Sequence, residues 1–370
     1  MASFTKRGNT WQYTISRMVN GESKPLRKGG FKTKKEAQVA ALEIEVELRK
    51  GSVPNLKPVS LVGYFENWLK LYKKDIANNT LERYKNTLRT IIEYFGNRSI
   101  QDINKRSYQT FLNQYGKTHA KASTRKLNTH IRACVKEAID EGLIRIDFTR
   151  NAVITGRKGK RPEEKHLDYI ESELLLKELY DRIDTCQGST NYLLLLALTS
   201  GMRFGELVGL TRKDFDFINN TISINKSWGY TNKMHEGFGE TKNEQSNRII
   251  KMDKKTMKSF YKSFQITPEN IYKLVFYSPA SKYKVISNNA VNKALENILF
   301  KLDIKSISFH GLRHTHASVL LYKGVSIYYV SERLGHGDIE TTMNTYTHIV
   351  KELREKDEEK TSTIFSSMVV

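Results

Sequence analysis

Cysteine and long apolar stretches are scarce in this chain of 370 residues. Its two cysteines, Cys134 and Cys186, are far apart and match neither a disulfide pattern nor a zinc-site spacing, which favours a reducing compartment. The longest apolar run, Tyr192 to Leu198, is much shorter than the ~20 residues that cross a bilayer. No apolar segment of the signal-peptide type lies between Met1 and Trp11. We therefore expect a cytoplasmic protein without a membrane partner.

Acidic residues are too few to balance the basic ones, and the imbalance is uneven along the chain. The net charge is +21 and the pI is about 9.7. Lys and Arg outnumber Asp and Glu by 34 to 16 in residues 1–165, but only by 27 to 24 in residues 166–370. Positive charge concentrated in one half is typical of a protein that binds a polyanion. A generically basic surface is the plain alternative. A membrane surface is disfavoured because the basic residues are spread over several predicted elements.

Residues 1–50 predict a small sheet of three strands followed by one helix. The strands are expected at the alternating residues Trp11 to Ile15, near Lys24 to Lys28 and, after a break at Gly29-Gly30, at Phe31 to Thr33. Asn20-Gly21 is a hairpin turn signal, and Thr33 is expected to cap the helix. A basic sheet of this size can lie in a DNA major groove, or it can be a purely structural module. The candidate DNA contacts are Thr14, Arg27, Lys28 and Lys32.

Residues 59–150 predict an all-helical domain, separated from the first by the proline-containing linker Gly51 to Pro58. Its apolar stripes, such as Leu61, Tyr64, Phe65 and Trp68, have helical spacing and indicate a core. Basic residues on the outer side of the last predicted helix are candidate phosphate contacts, although a plain solvated face explains any one of them equally well. These candidates are Lys121, Arg125 and Arg132.

A basic linker at residues 151–165 leads to a mixed α/β domain at residues 166–370. The expected elements are helices at 171–182 and 190–199, a strand at Thr221 to Ile224, a hairpin arm at Gly237 to Met252 and a short strand at Val275 to Tyr277. Two breaks are expected in the helical remainder, at Gly324 and at Gly335-His336-Gly337.

Four segments of this domain carry residue types that suit chemistry on a phosphodiester. They are Thr199 to Leu207, with the sequence TSGMRFGEL; Glu240 to Arg248, ETKNEQSNR; His310 to His314, HGLRH; and Leu334 to Tyr346, LGHGDIETTMNTY. Each motif alone is weak, since a His-x-x-Arg occurs by chance. Their joint order, with His336 ten residues before Tyr346, is hard to reach by accident.

Together these segments resemble the catalytic motifs of tyrosine recombinases, specifically the integrases of phages and conjugative elements. The resemblance spans nearly the whole chain. It implies a multidomain, mainly α fold with small β elements: an arm-type DNA-binding domain (1–50) with a three-stranded sheet plus helix, a helical, SAM-like core-binding domain (59–150) and an α+β catalytic domain (166–370). The chain departs from the pattern at Asn243-Glu244, where relatives often carry Thr-Lys, and in the glycine-rich flank of His336.

By match to the family, Tyr346 is the nucleophile and forms a 3′-phosphotyrosyl link with DNA. Arg203 and Arg313 hold the non-bridging oxygens of the phosphate, because guanidinium groups stabilise the negative charge that attack builds there. Glu206 is three residues after Arg203, close enough on a helix to orient it.

The resemblance also implies roles for two histidines and a lysine. His310 handles a proton beside the phosphate, and His336 bonds a phosphate oxygen and helps to position Tyr346. Lys242, on the predicted hairpin arm, protonates the leaving 5′-oxygen. A zinc site at His310, His314 and His316 is disfavoured, because a zinc protease carries a Glu base between its two histidines, and Leu312 and Arg313 lie there instead.

The implied activity is site-specific recombination that integrates, and also excises, a mobile element. The expected partners are double-stranded DNA at core-type and arm-type sites, three further copies of the chain in a homotetramer, an excisionase and a host DNA-bending protein. The segment after Tyr346 is expected to pack on a neighbouring protomer. No cofactor is expected, because the phosphotyrosyl link retains the energy of the broken bond and the sequence has no P-loop. The rival functions are a relaxing topoisomerase and a DNA-binding repressor without catalysis.

Overall fold

The chain forms two compact units, residues 1–159 and 160–370. The computed structural model describes residues 2–16, 18–19, 22–23, 25–49, 58–159, 162–185, 188–346, 358 and 361. Within these ranges, helices predominate and the sheets are small, which confirms the predicted fold class. Across the same ranges, no helix has both the length and the apolar character needed to cross a membrane.

A three-stranded antiparallel sheet and one helix form the N-terminal part of the first unit. The elements are β1 (Ala2–Arg7), β2 (Thr10–Ile15), β3 (Met18–Val19), β4 (Glu22–Ser23), β5 (Leu26–Phe31) and α1 (Lys34–Arg49). The sheet order is β1-β2-β5, and β3 and β4 form a separate two-stranded sheet. Tyr13 and Ile15 of β2 are buried with Ala41 of α1, as the alternation along β2 predicted.

Two details of this sheet differ from the expectation. The sheet begins with β1, a strand that the sequence did not predict. The expected break at Gly29-Gly30, with a separate strand at 31–33, is wrong, because β5 runs through both glycines. The register of β2 against β5 shifts between Trp11 and Tyr13, so the glycines accompany a bulge and do not end the strand. The expected cap is confirmed: the Glu36 N–H donates to Thr33 Oγ1 at 3.1 Å. Asn20 and Gly21 lie outside the described residues.

The described residues 58–159 of the first unit contain four α-helices. They are α2 (Leu61–Tyr72), α3 (Asn78–Phe95), α4 (Lys105–Thr118) and α5 (Lys121–Asp140). Their apolar stripes meet in one core, and the stripe predicted on α2, which includes Phe65 and Trp68, is buried there. Side-chain caps fix where two helices begin: Ser60 Oγ accepts from Gly63 N at 3.0 Å, and Asn104 Oδ1 accepts from Ser107 N at 2.9 Å.

The second unit surrounds α7, which is buried on all sides. Its helices are α6 (Tyr169–Thr185), α7 (Ser189–Ser200), α8 (Phe204–Val208), α9 (Lys254–Ile266), α10 (Asn288–Lys301), α11 (Phe309–Tyr322) and α12 (Ile327–Leu334). Its strands are β6 (Phe215–Asp216), β7 (Thr221–Ile224), β8 (Ser227–Trp228), β9 (Phe238–Gly239) and β10 (Arg248–Lys251). Every residue from Tyr192 to Leu198 is buried, because the apolar residues of α7 cover its whole circumference. Residues 339–346 are also helical.

Strand pairing in this unit corrects two expectations. The predicted hairpin arm at 237–252 does not pair with itself: β9 pairs with β8, whereas β10 joins β7 and β6 in a separate three-stranded sheet. The predicted strand at 275–277 is absent, and Leu274 and Tyr277 form only isolated bridges. In both cases the apolar pattern located an extended segment, but the strand it pairs with depends on contacts distant in sequence.

Candidate active site

Two helices of the second unit end in glycines that leave their last carbonyl groups available. α7 ends at Gly201 (φ +69°) and α12 at Gly335 (φ +66°), both in the left-handed region that favours glycine. A Cβ atom on Gly201 would lie 2.6 Å from Cδ2 of His316, so the close packing also requires glycine there. Helix C-termini carry unpaired carbonyl oxygens and partial negative charge, which suits a cation.

Arg313 of α11 uses the carbonyl groups at both helix ends. Its side chain is almost fully buried, and it donates from Nη1 to Gly201 O at 2.8 Å and from Nη2 to Leu334 O at 2.7 Å. Burial, with the positive charge of Arg203 next in importance, lowers the pKa of Arg313 to about 9. The guanidinium group therefore remains cationic at neutral pH and is held in one orientation.

Arg203 lies at the N-cap of α8 and contacts the same region. It donates from Nη2 to Gly335 O at 3.0 Å and from Nη1 to Glu206 Oε1 at 2.8 Å. Glu206 Oε2 also accepts from the Arg203 backbone N–H at 3.0 Å, so the orienting contact expected from their spacing is present. The α7 and α12 ends thus bring two arginines together that are 110 residues apart in sequence.

Arg248 is a member of this cluster that the sequence did not single out as functional. Its Nη2 donates to Glu206 Oε2 at 3.0 Å, and its Nε donates to Arg333 O at 2.7 Å. Burial alone would raise the pKa of Glu206, but the charges of Arg248 and Arg203 outweigh it and hold that pKa below its usual value. Glu206 is therefore a buried carboxylate shared by two arginines. The sequence did offer one indication of a functional role for Arg248, which is its position at the end of the second motif segment.

The histidines of α11 occupy different surroundings. The rings of His310 and His314, four residues apart, meet edge to face with centroids 4.9 Å apart. His310 is exposed, yet partial loss of surrounding water, then Arg313 and Arg203, lower its pKa. His316 lies on the buried side, where Nδ1 bonds Leu198 O at 2.9 Å and Nε2 accepts from Arg333 at 3.0 Å. Both nitrogens of His316 are thus engaged, and His316 does not join the other two.

His336 directly follows the glycine that ends α12. Its Nδ1 hydrogen-bonds Oγ1 of the buried Thr342 at 2.7 Å, which fixes the ring. Burial, followed by the positive charge of Arg313, lowers the pKa of His336 to about 4. The ring is therefore neutral at pH 7.

Tyr346 is buried, with 1% of its surface exposed. It packs in an apolar cluster with Leu321, Val330 and Leu334, and its hydroxyl lies 3.0 Å from Nδ1 of His314. Burial raises the pKa of the phenol, and the charge of Arg313 opposes that shift. The hydroxyl thus has a polar partner and lies within the field of Arg313. Because so little of the ring is exposed, it can reach a phosphate only after a local rearrangement.

Lys242 is the candidate catalytic residue that stands apart from this cluster. It is exposed between β9 and a 3-10 turn at Glu244–Ser246. Its side chain makes no hydrogen bond or ion pair with any residue that the structure describes. The structure therefore groups five of the six candidates, Arg203, His310, Arg313, His336 and Tyr346, by direct or charge contacts, and leaves Lys242 on the neighbouring loop.

The candidate DNA contacts of the first unit form two sets. Thr14 and Arg27 are cross-strand partners on the face of the sheet opposite Tyr13, whereas Lys28 pairs with Tyr13 and so belongs to the helix-covered face. Lys32 lies in the exposed turn before α1. The set on α5, with spacings of four and seven residues, shares one exposed helix face; its members are Lys121, Arg125 and Arg132.

Comparison with known proteins adds family and fold. The family described as "Phage integrase family" matches residues 165–352, just over half of the chain. A phage integrase N-terminal SAM-like domain matches residues 60–115, and an arm DNA-binding domain matches residues 3–48. The integrase of Staphylococcus phage L54a is 26% identical over 86% of this chain and 97% of its own length. A XerC-like tyrosine recombinase of Caldanaerobacter subterraneus subsp. tengcongensis is 28% identical over 91% of each chain.

Solved structures share the fold at lower identity. A Tn1549 transposon integrase in complex with transposon right end DNA has a TM-score of 0.67 at 17% identity and covers 82% of this chain and 99% of its own. A lambda integrase, solved as a tetramer bound to a Holliday junction, has a TM-score of 0.58 at 16% identity, covering 92% and 96%. The chain therefore belongs to the phage integrase family and is a tyrosine recombinase, an enzyme that cleaves and rejoins DNA strands.

Proposed function

We propose that Tyr346 attacks a DNA phosphodiester that Arg203 and Arg313 hold between them. The observation that carries this proposal is the shared support of the two guanidinium groups by the ends of α7 and α12, with a phenol hydroxyl in the field of one of them. Two fixed positive groups stabilise the charge that develops on the non-bridging oxygens, and they need no reorganisation at the moment of reaction. The product is a 3′-phosphotyrosyl link and a free 5′-hydroxyl.

The remaining candidates complete the reaction. The neutral ring of His336 donates to a phosphate oxygen from Nε2, while its Nδ1 stays with Thr342. His310, exposed on the same helix as Arg313, exchanges a proton beside the phosphate. Lys242 protonates the leaving 5′-oxygen after its loop folds over bound DNA, because its ammonium group is exposed and makes no ion pair with the described residues.

At the level of the whole reaction, we propose site-specific integration and excision of a mobile element in the bacterial cytoplasm, where its DNA substrate lies. Residues 1–50 bind arm-type sites, and residues 59–150 and 166–370 bind core-type sites. The exposed basic face of α5 and the Thr14-Arg27 face of the sheet support these assignments. We further propose a homotetramer on two duplexes, to which an excisionase and a host DNA-bending protein give direction. The tetrameric state of the lambda integrase, a structural neighbour, supports the assembly.

A strand-transfer assay tests this proposal. The DNA that flanks the gene supplies the candidate attachment repeats, and a circular duplex with the joined ends is mixed with a linear target. We expect recombinant product without ATP, because the phosphotyrosyl link stores the energy that rejoining needs. We also expect product in the presence of EDTA, because Arg203 and Arg313 hold the phosphate in the proposed reaction. Relaxation of supercoils without any recombinant would favour a topoisomerase. Binding without either product would favour a repressor.

A further inference from the structure

His314 is hydrogen-bonded to the hydroxyl of the proposed nucleophile, Tyr346, and no role has been assigned to it above. Its Nδ1 lies 3.0 Å from the Tyr346 hydroxyl, and their rings meet edge to face at 5.9 Å. The residue follows Arg313 directly on α11, so the backbone that fixes a phosphate-binding guanidinium also fixes this imidazole. The side chain is partly buried, and its other neighbour on the helix is the exposed His310.

We propose that His314 is a further catalytic residue, which accepts the proton of the Tyr346 hydroxyl as the phenol attacks phosphorus. The inference rests on the proposed role of Tyr346 as nucleophile. A general base must lie within hydrogen-bond reach of the proton that it removes, and His314 Nδ1 meets this condition while the phenol is buried. In this proposal the two side chains keep their contact through the local rearrangement that brings the phenol to the phosphate.

The step balances in both directions. The bond from Tyr346 Oη to phosphorus forms while the bond from phosphorus to the 5′-oxygen breaks. The step uses the tautomer of neutral His314 with its proton on Nε2: the phenol proton moves to Nδ1, and the ring becomes an imidazolium. Lys242 supplies a separate proton to the 5′-oxygen. On rejoining, a 5′-hydroxyl attacks phosphorus and returns its proton to Lys242. Tyr346 leaves as a phenolate and recovers its proton from His314.

The surroundings keep His314 neutral before DNA binds. Burial, followed by the charges of His310 and Arg313, lowers its pKa to about 4, and His166 and Lys165 act in the same sense from the segment before α6. Tyr346 and His336 face it from the chain after α12. A bound phosphodiester carries negative charge and would offset Arg313, so the imidazole becomes a stronger base when substrate is present. Substrate binding thereby activates the base where it is needed.

The first test compares His314→Asn with wild type in single-turnover cleavage of nicked suicide DNA. Asparagine places an oxygen near the position of Nδ1, so it can accept the phenol hydrogen bond but cannot take the proton. We expect cleavage at pH 7 to fall by about 10²–10⁴-fold, the usual contribution of a general base, with unchanged DNA affinity. The deficit should shrink as pH rises toward the pKa of the Tyr346 phenol, which burial holds above its usual value, because the phenolate then forms without a base.

A second substrate separates this role from leaving-group chemistry. When sulfur replaces the bridging 5′-oxygen, the leaving thiolate needs no protonation, so the DNA should restore cleavage by Lys242→Ala. The same DNA should not restore His314→Asn. The melting temperature of each variant and its DNA affinity control for folding, and His314→Gln serves in place of Asn if the first variant is unstable.

Three results would overturn the inference. Cleavage by His314→Asn at the wild-type rate would show that His314 only hydrogen-bonds the phenol and does not accept its proton. Faster cleavage would show that it only restrains the buried phenol. Rescue of His314→Asn by the sulfur substrate would place it at the leaving group. In each case wild-type enzyme still forms the covalent adduct, so Tyr346 keeps its role; absence of that adduct in wild type would refute the proposed function as well.

Discussion

At the scale of single residues, the buried ion cluster decides how the phosphate-binding arginines are held. Glu206 has 3% of its side chain exposed and receives hydrogen bonds from both Arg203 and Arg248. A buried carboxylate is stable only with such partners, and the partners become costly when it is removed. The sequence predicted the Arg203 contact from a spacing of three residues. It could not predict Arg248, because that contact joins residues 42 positions apart.

We expect Glu206→Ala to destabilise the protein by about 3–5 kcal/mol, because the buried guanidinium group of Arg248 and the partly buried one of Arg203 lose their counterion. Urea denaturation measures the change. Glu178→Ala is the matched control: its pair with Arg182 is more than a quarter exposed on both sides, so the loss there should stay below about 1 kcal/mol. Equal losses in the two variants would show that Glu206 is not the centre of a buried network.

Arg203→Ala tests the phosphate clamp itself. The variant should lower single-turnover cleavage by about 10²–10³-fold, which corresponds to roughly 3–4 kcal/mol of lost transition-state stabilisation. Arg182→Ala removes a guanidinium from the surface pair on α6 and should cleave at the wild-type rate. Rapid cleavage by Arg203→Ala, with normal DNA binding, would remove Arg203 from the clamp.

At the scale of elements, the site is built from ends of helices, and this explains which parts the sequence could predict. The apolar stripe of α2 and the alternation of β7 follow local periodicity, and α7 coincides with the longest apolar run of the sequence; all three are buried in the structure. The convergence of the α7 and α12 ends on one guanidinium depends on tertiary packing, which no local pattern encodes. The prediction of a hairpin at 237–252 was wrong for the same reason, because the two strands of this segment pair in different sheets.

The C-terminal glycine of α7 should be unusually sensitive to substitution. Gly201→Ala introduces a Cβ 2.6 Å from His316 and 2.9 Å from Leu334, and it also forces alanine to adopt φ +69°. Gly324→Ala is the control, because φ there is +80° but nothing lies within 4 Å of a Cβ. The control should lose about 1–2 kcal/mol from backbone strain alone. In the same urea titration, Gly201→Ala should lose clearly more free energy of unfolding than the control, and it should also lose cleavage activity. Equal losses of free energy in the two variants would mean that the close packing around Gly201 does not affect stability.

At the scale of the whole molecule, net charge distinguishes the two halves of the chain, whereas buried neutral histidines occur in both. Most of the excess positive charge lies in residues 1–165, in agreement with their proposed contact with DNA. Both units also hold histidines that burial keeps neutral: the pKa is about 4 for His130 of the first unit and for His314 and His336 of the second, and about 3 for His316. The charge asymmetry was readable from composition, whereas these pKa shifts follow from burial that composition does not reveal.

Stability should therefore fall as the solution is acidified below about pH 6.5. In the unfolded chain these histidines gain a proton near that pH, while in the folded protein they do so only near pH 3–4. Between the two values the unfolded state binds more protons than the folded state. The free energy of unfolding therefore decreases by up to about 1.4 kcal/mol for each such histidine with every pH unit of acidification. Urea titrations from pH 8 to pH 5 measure the slope. His316→Gln should reduce it, and a flat profile would contradict neutral burial.

The central claim is that the hydroxyl of Tyr346 becomes covalently joined to DNA. Nicked suicide DNA from the ends of the element traps this link, because the cut strand diffuses away before it can rejoin. Wild-type enzyme should form an adduct that survives SDS, with residue 346 carrying the DNA in peptide mass analysis. Tyr346→Phe should bind the same DNA with unchanged affinity and form no adduct. An SDS-stable adduct with Tyr346→Phe, or a wild-type adduct at another residue, would contradict the account.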